Sequence, residues 1–194
     1  SLFFFKKSLK INSKSEIVFY NIANIYAKHN NFSLAIKYYL KYLEINKKNK
    51  KIYFNLGLAF EKQGNIFKAI KYYKQALKFD DNYAAANCNL GNLYYIVGDL
   101  QKSENKLLKA IKINGNLDIA FNNLGLINTA FGNFKDAKKN FLKSIKLNSY
   151  NARSHYNLSS IIDYKDKIND NHLNELLKNE KNCQSNIDKM YYSF

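Results

Sequence analysis

Apolar residues recur along this chain at the spacing of an amphipathic helix, in paired segments separated by short polar breaks. The clearest pair lies in the second quarter. Ile52, Tyr53, Leu56, Ala59 and Phe60 share one face of a helix predicted over about 51–63. Gly64-Asn65 then ends it, because glycine takes the left-handed backbone that often follows a helix C-terminus without a steric penalty. A second helix is predicted over 66–79, with Ala69, Ile70, Tyr73, Ala76 and Leu77 facing inward. The same break recurs as Gly98-Asp99 and Gly132-Asn133. It also recurs as Asn30-Asn31, asparagine being the other residue that tolerates that conformation.

The breaks are in register. Asn-Leu-Gly stands at 55–57, 89–91 and 123–125, a period of 34 residues, and Asn21-Ile22-Ala23 and Asn157-Leu158-Ser159 keep the same step. Five occurrences without an insertion define an internal repeat. Four full copies cover 16–49, 50–83, 84–117 and 118–151. The second reads Tyr53, Leu56, Gly57, Phe60, Ala69, Tyr73 and Ala76; the first reads Phe19, Ile22, Ala23, Tyr26, Ala35 and Tyr39. The third gives Leu90, Gly91, Tyr94, Ser103, Leu107 and Ala110, and the fourth Phe121, Leu124, Gly125, Ala137, Phe141 and Ser144.

This period and these residues resemble the tetratricopeptide repeat (TPR) family. The resemblance implies an all-α fold: a TPR right-handed superhelical α-solenoid of antiparallel helix pairs, with first helices lining the inner surface and second helices the outer. One hairpin cannot bury its apolar face alone, so neighbours stack. Gly57 and Ala69 are expected to face each other, Ala76 to meet the next copy, and the aromatics to fill the core. The family's terminal proline is absent from every copy. Lys47, Asp81, Gly115 and Ser149 stand there, which leaves the stiffness of the inter-repeat turn open. Residues 1–15 align with the second half of a copy, Phe5 with Tyr73 and Ser8 with Ala76, and read as the second helix of an incomplete repeat. The chain is therefore expected to be a fragment or processed form of something longer. Residues 152–164 supply a fifth first helix, and 165–194 a C-terminal helical tail in which the register is lost.

Composition narrows the classes. Hydrophobic residues at 46% and aromatics at 15% allow a buried core, while the absence of Pro and only 7 Gly disfavour collagen-like and Pro-rich chains. Two Cys are too few for a disulfide framework or a four-thiolate zinc site, and fit a reducing, cytoplasmic setting. No apolar run approaches the roughly 20 residues that span a bilayer. The formal charge is +16, yet Arg153 is the single arginine among 31 basic residues, beside 30 Asn. Nucleic-acid readers favour the bidentate arginine fork, so no specific nucleic-acid partner is expected. Second-helix lysines such as Lys71, Lys74 and Lys78 read as a solvated outer face. The other reading of that face is a binder of anionic polymer or membrane.

No phosphate loop, dinucleotide fingerprint, nucleophile elbow or paired-histidine zinc motif occurs. No catalytic residue, metal or cofactor is expected. His29 falls in an inter-helix turn, His155 at a packing position, and His172 has no partner at metal spacing. Cys88 falls on the predicted groove face without a His or Asp set beside it by the register, and Cys183 has no evident role.

The family resemblance places Asn21, Asn55, Asn89, Asn123 and Asn157 on the concave surface. Beside them it places Tyr20, Phe54, Cys88, Asn122 and Tyr156, then Asn24, Leu58, Asn92, Leu126 and Ser160. An asparagine amide offers two donors and an acceptor, matching a peptide unit of an extended chain. A similar ladder occurs in the TPR superhelix of O-linked N-acetylglucosaminyltransferases, where it holds substrate peptide. The cations with which chaperone-tail TPR domains clamp a terminal carboxylate are missing, since Tyr20, Asn24, Asn55, Ala85 and Asn89 stand at those positions. The expected function is a non-catalytic protein–protein interaction scaffold that binds extended polypeptide. The tail, through Asp170, Leu173, Leu176-Leu177 and Met190 to Phe194, resembles the exit region of bacterial TPR proteins that continue into an enzyme. That offers an alternative: an accessory substrate-binding arm of a larger glycosyltransferase or sulfotransferase.

Overall fold

The computed structural model describes residues 15–162 and 170–182, and every regular element among them is an α-helix. The expectations for residues 1–14, for Cys183 and for the aromatic end fall outside the described residues. In chain order the helices are α1 (Glu16–Lys28), α2 (Phe32–Ile45), α3 (Lys50–Lys62), α4 (Ile66–Phe79) and α5 (Ala84–Ile96). Then follow α6 (Leu100–Ile113), α7 (Asp118–Ala130), α8 (Phe134–Leu147), α9 (Ala152–Ser159) and α10 (Asp170–Asn182).

The turn inside each hairpin is built as the sequence implies. Gly64, Gly98 and Gly132 have φ of 74°, 81° and 74°, and Asn30 takes φ 59° in the first copy. Asn31, Asn65 and Asp99 then cap the following helix, their side-chain oxygens accepting from the backbone N–H of Leu34, Lys68 and Lys102 at 3.1–3.2 Å. Such a cap satisfies one of the donors a helix start leaves orphaned.

The turn between copies, where proline is missing, is held by a different device. Asn46, Asp80, Asn114 and Asn148 each end a second helix with extended backbone. Each side-chain oxygen accepts from the backbone N–H two residues on, that of Lys48, Asn82, Asn116 and Tyr150, at 3.0–3.2 Å. An Asx turn thus fixes the exit direction that proline would otherwise restrict.

The chain divides into two compact units, 1–93 and 94–194. In the first, hairpin α1–α2 stacks on hairpin α3–α4 through α2 and α3. Its interior holds Ile22, Ala23, Ala35, Tyr39, Ile52, Leu56, Ala69, Tyr73 and Ala76, all at most 2% exposed. In the second, α7 and α8 form a hairpin, and α9 packs on both. Ala137, Phe141, Ile145 and Leu158 form its core, with Leu126, Ile161 and Ile162 against it. His172, Leu176 and Asn179 of α10 are buried as well. They stand 35 residues after Ala137, Phe141 and Ser144. The buried face of α8 therefore recurs in α10 with one extra residue between.

At Gly57 the ring of Tyr73, one turn beyond Ala69 on α4, stands where a side chain would go: a Cβ added at Gly57 would lie 2.6 Å from that ring. Gly125 meets the ring of Phe141 in the same way. A glycine at this position leaves room for an aromatic ring against the first helix. Gly57→Ala should therefore destabilise by about 1–3 kcal/mol through overpacking. Gly64→Ala, where nothing lies within 4 Å, pays only the left-handed backbone penalty of about 1–2 kcal/mol. Urea unfolding of the double variant Gly57→Ala/Tyr73→Leu tests the cause: it should lose less than the two single changes summed.

Candidate functional site

In the first unit the ladder positions are tied to the tyrosines beneath them. The Tyr39 ring is 2% exposed and the Tyr73 ring fully buried, so each hydroxyl must find partners inside the protein. Tyr39 donates to Asn24 Oδ1 at 2.6 Å, and the Asn55 amide stands beside the same hydroxyl. Tyr73 donates to Glu61 Oε2 at 2.6 Å and accepts from Asn89 Nδ2 at 3.1 Å. Tyr73 thus fixes the ladder amide of the next copy, 16 residues on, and Asn55 stands beside Tyr39 at the same offset. Burial pushes the Tyr39 phenol up to about 12, Tyr20 adds to the rise and Asn55 opposes it. Tyr73 is raised further, by burial first and then by the Glu61 carboxylate, so both phenols stay protonated donors.

Asn21, Asn24, Asn55, Asn89 and Asn92 are half-buried along the first helices of this unit. Phe54 is half-buried too, packed between the rings of Tyr73 and Tyr83 at centroid distances of 5.6 and 5.0 Å. Tyr20 leans edge-on against Tyr42. Cys88 is buried at 5% exposure, so the thiol predicted on the groove face lies in the interior.

The second unit uses the same positions differently. Leu107 and Phe141 stand where Tyr39 and Tyr73 stand, and carry no hydroxyl. Asn122 and Asn123 are each 5% exposed, and Asn122 Nδ2 donates to Asn123 Oδ1 at 3.3 Å. Asn157 Nδ2 and Ser154 Oγ both donate to Asn122 Oδ1, at 2.9 and 3.1 Å. Ser154 continues to Ser144, and Ser144 Oγ donates to the Asp118 carbonyl. Here the amides knit α7, α8 and α9 together. Of the groove residues read from sequence in this unit, Tyr156, at 43% exposure, and Ser160 are exposed.

Sequence spacing missed a histidine pair. His155 Nδ1 and His172 Nε2 lie 3.0 Å apart, with rings stacked within 8°. Both residues are buried, at 0% and 8% exposure. His155 Nε2 lies 2.9 Å from the Ser149 carbonyl, which can only accept, so that nitrogen carries the proton. His155 Nδ1 is then an acceptor, and His172 Nε2–H donates to it. The offset of 35 between α8 and α10 brings these rings together, and a search at the period of 34 passes over it. Among the described residues no group of three or more His, Cys, Asp or Glu gathers as a metal site.

Helical hairpins repeated at one period, each closed by a glycine or asparagine turn and stacked through an aromatic core, define an α-helical repeat protein. The chain belongs to the tetratricopeptide repeat family: family models described as tetratricopeptide repeat match residues 18–49, 50–83, 84–117 and 119–151. Its fold is the all-α TPR solenoid. No curated protein matches the sequence. Among solved structures, MamA from Desulfovibrio magneticus RS-1 has a TM-score of 0.75 at 17% identity, covering 88% of this chain and 97% of that one. A Pseudomonas aeruginosa PilF structure has a TM-score of 0.75 at 21% identity, covering 88% and 78%. YrrB, described as a TPR protein with an unusual peptide-binding site, has a TM-score of 0.69 at 20% identity, covering 96% of each chain. At these identities the likeness is one of fold. Among the described residues no helix is long and apolar enough to cross a membrane.

The histidine pair gives a pH dependence. Burial lowers both imidazoles; His172 falls to about 4, with His155 and Lys138 adding to the effect of burial. The Ser149 carbonyl and Glu175 partly offset the fall at His155. An unfolded histidine takes up its proton near pH 6.5, whereas the folded pair resists it. The stability is complete above pH 6.5 and is lost as pH falls toward 4. Denaturant midpoints at pH 7 and pH 5 should show this loss. His155→Phe/His172→Ala, which copies Phe121 and Ala137 of the fourth repeat, should shrink the difference between the two pH values.

Proposed function

We propose that the chain is a non-catalytic protein-interaction scaffold, and that its first unit grips an extended polypeptide along the first helices through Asn21, Asn55 and Asn89. The observation that carries this is the tyrosine brace. Asn89 spends part of its hydrogen-bonding capacity on the buried Tyr73 phenol and is thereby held in place, and Asn55 stands beside the Tyr39 phenol at the same offset. A side-chain amide has two donors and an acceptor that takes two bonds, so each retains a donor and its carbonyl oxygen for a partner. Amides fixed in advance lose less side-chain entropy when a ligand pairs with them.

The chemistry suits a backbone ligand. Amides repeated along adjacent helices, with Tyr20, Phe54 and Leu58 between them, match alternating peptide units and side chains. Charge plays little part on this face, in keeping with the missing carboxylate clamp. The description of YrrB as a peptide-binding TPR protein supports the same class of ligand.

The test is the triple change Asn21, Asn55 and Asn89→Ala, measured against a peptide selected on the wild-type protein from a random decapeptide library. Helicity by circular dichroism should be retained. The loss of the Asn89 brace to Tyr73 should cost about 1 kcal/mol in stability. Affinity for the selected peptide should fall at least tenfold. Unchanged affinity would remove the amides from the binding surface.

A further inference from the structure

The first unit contains a cavity of about 130 Å³ at the junction of α1, α2 and α3. Ala27, Phe32, Leu58 and Ala59 supply its apolar wall, and Asn24, Tyr39 and Asn55 its polar part. No charged side chain lines it. We propose that this cavity is a subsite for one aliphatic side chain, of the size of valine or leucine, from a polypeptide whose backbone pairs with Asn55. The inference rests on the groove reading above and adds to it a preference for a residue type.

Three observations carry it. The first is size: an apolar protein cavity of about 150 Å³ takes up a benzene molecule, so 130 Å³ suits a branched aliphatic group and is too small for an indole. The second is polarity. A lysine or glutamate entering here would be desolvated without a counter-charge, which is costly. The Tyr39 hydroxyl and the Asn24 oxygen are already paired with each other, with the Asn55 amide beside them. The apolar wall is what remains to be covered.

The third observation is how the cavity arises. At the step of 34 residues, Ala27 corresponds to Glu61, Tyr95 and Thr129, and Asn24 to Leu58. In the second copy the buried tyrosine takes its acceptor from Glu61. In the first, that acceptor is Asn24, one turn earlier, and the place of the glutamate is held by a methyl group. The exchange of Leu58/Glu61 for Asn24/Ala27 leaves the phenol satisfied and empties the space above it. Asn55 sits on the rim, so a peptide unit paired with its amide directs the adjacent side chain inward.

The same comparison supplies variants whose residues other copies already carry at this position. Ala27→Glu places in the first repeat the residue the second already carries, and Ala27→Thr copies the fourth. The probes are neutral decapeptides of serine and asparagine with one central position varied among Leu, Gly, Lys and Glu, titrated into the ¹⁵N-labelled full chain. The Leu peptide should bind at least fivefold more tightly than the Gly, Lys and Glu peptides. Its shifts should centre on Ala27, Leu58 and Ala59. Ala27→Glu should erase the preference for Leu, and Ala27→Thr should reduce it if the glutamate disturbs folding. Equal binding of all four peptides, weakened equally by the Asn21, Asn55 and Asn89→Ala triple, overturns the subsite and leaves the amide ladder standing. A Leu preference that persists in both Ala27 variants also overturns it. Binding by none of the peptides overturns the subsite and the ladder together.

Discussion

A phenol buried at the centre of a helical hairpin must still satisfy its hydroxyl, and much of the first unit is arranged around that need. The Tyr73 ring lies so close to α3 that Gly57 has no room for a Cβ. Its oxygen emerges on the other side, between Glu61 and Asn89. Tyr39 likewise donates to Asn24 and stands beside Asn55. Ring burial supplies packing energy and the hydroxyl sets the orientation of an amide on the next helix, so one side chain couples core to surface. Where the tyrosine gives way to Leu107 and Phe141, the coupling is gone, and Asn122, Asn123 and Asn157 bond to one another in the interior. The repeat keeps its geometry while the chemistry of its inner positions changes from copy to copy.

The large positive charge has a partly structural explanation. Lys68 lies over the Phe60 ring at 5.2 Å and Lys102 over the Tyr94 ring at 5.8 Å, one repeat step apart. Lys41 over Phe19 and Lys143 over Phe121 form a second such pair, three steps apart. These second-helix lysines cover the outer edges of first-helix rings with their stems and place the ammonium over the ring face. Lys50 also pairs with Asp80, whose carboxyl is lowered chiefly by that hydrogen bond. Abundant asparagine has its own structural uses, in the Asx turns that stand in for proline and in the helix caps.

The repeat made most of this architecture legible. The second helix of the second copy was read as 66–79 and is Ile66–Phe79, while its first helix begins and ends one residue earlier than the predicted 51–63. The inward positions Ile52, Leu56, Ala69, Tyr73 and Ala76 follow from periodicity alone, as does the burial of His155. Three features did not. The crowding of Gly57 by the Tyr73 ring is one, because helical spacing gives a face but not which turn of the facing helix comes nearest. The burial of Cys88, Asn122 and Asn123 escaped because position in a repeat sets direction, whereas depth depends on the neighbours. The His155–His172 contact depends on an offset of 35, invisible to a search for 34. The tyrosine–asparagine brace could have been found: a polar aromatic at a core position implies partners, and the amides 16 residues on are regularly placed to supply them.

The central claim is that the buried hydroxyls, beyond the rings that carry them, ready the first unit's amides for another chain. Tyr39→Phe/Tyr73→Phe removes two oxygens and keeps both rings, a substitution the fourth repeat already makes with Phe141. The most direct measurement is the affinity of a library-selected peptide for this double variant, with unfolding followed in parallel. The account predicts a cooperatively folded protein whose peptide affinity is at least fivefold weaker. A folded variant that binds the peptide as tightly as wild type would contradict it.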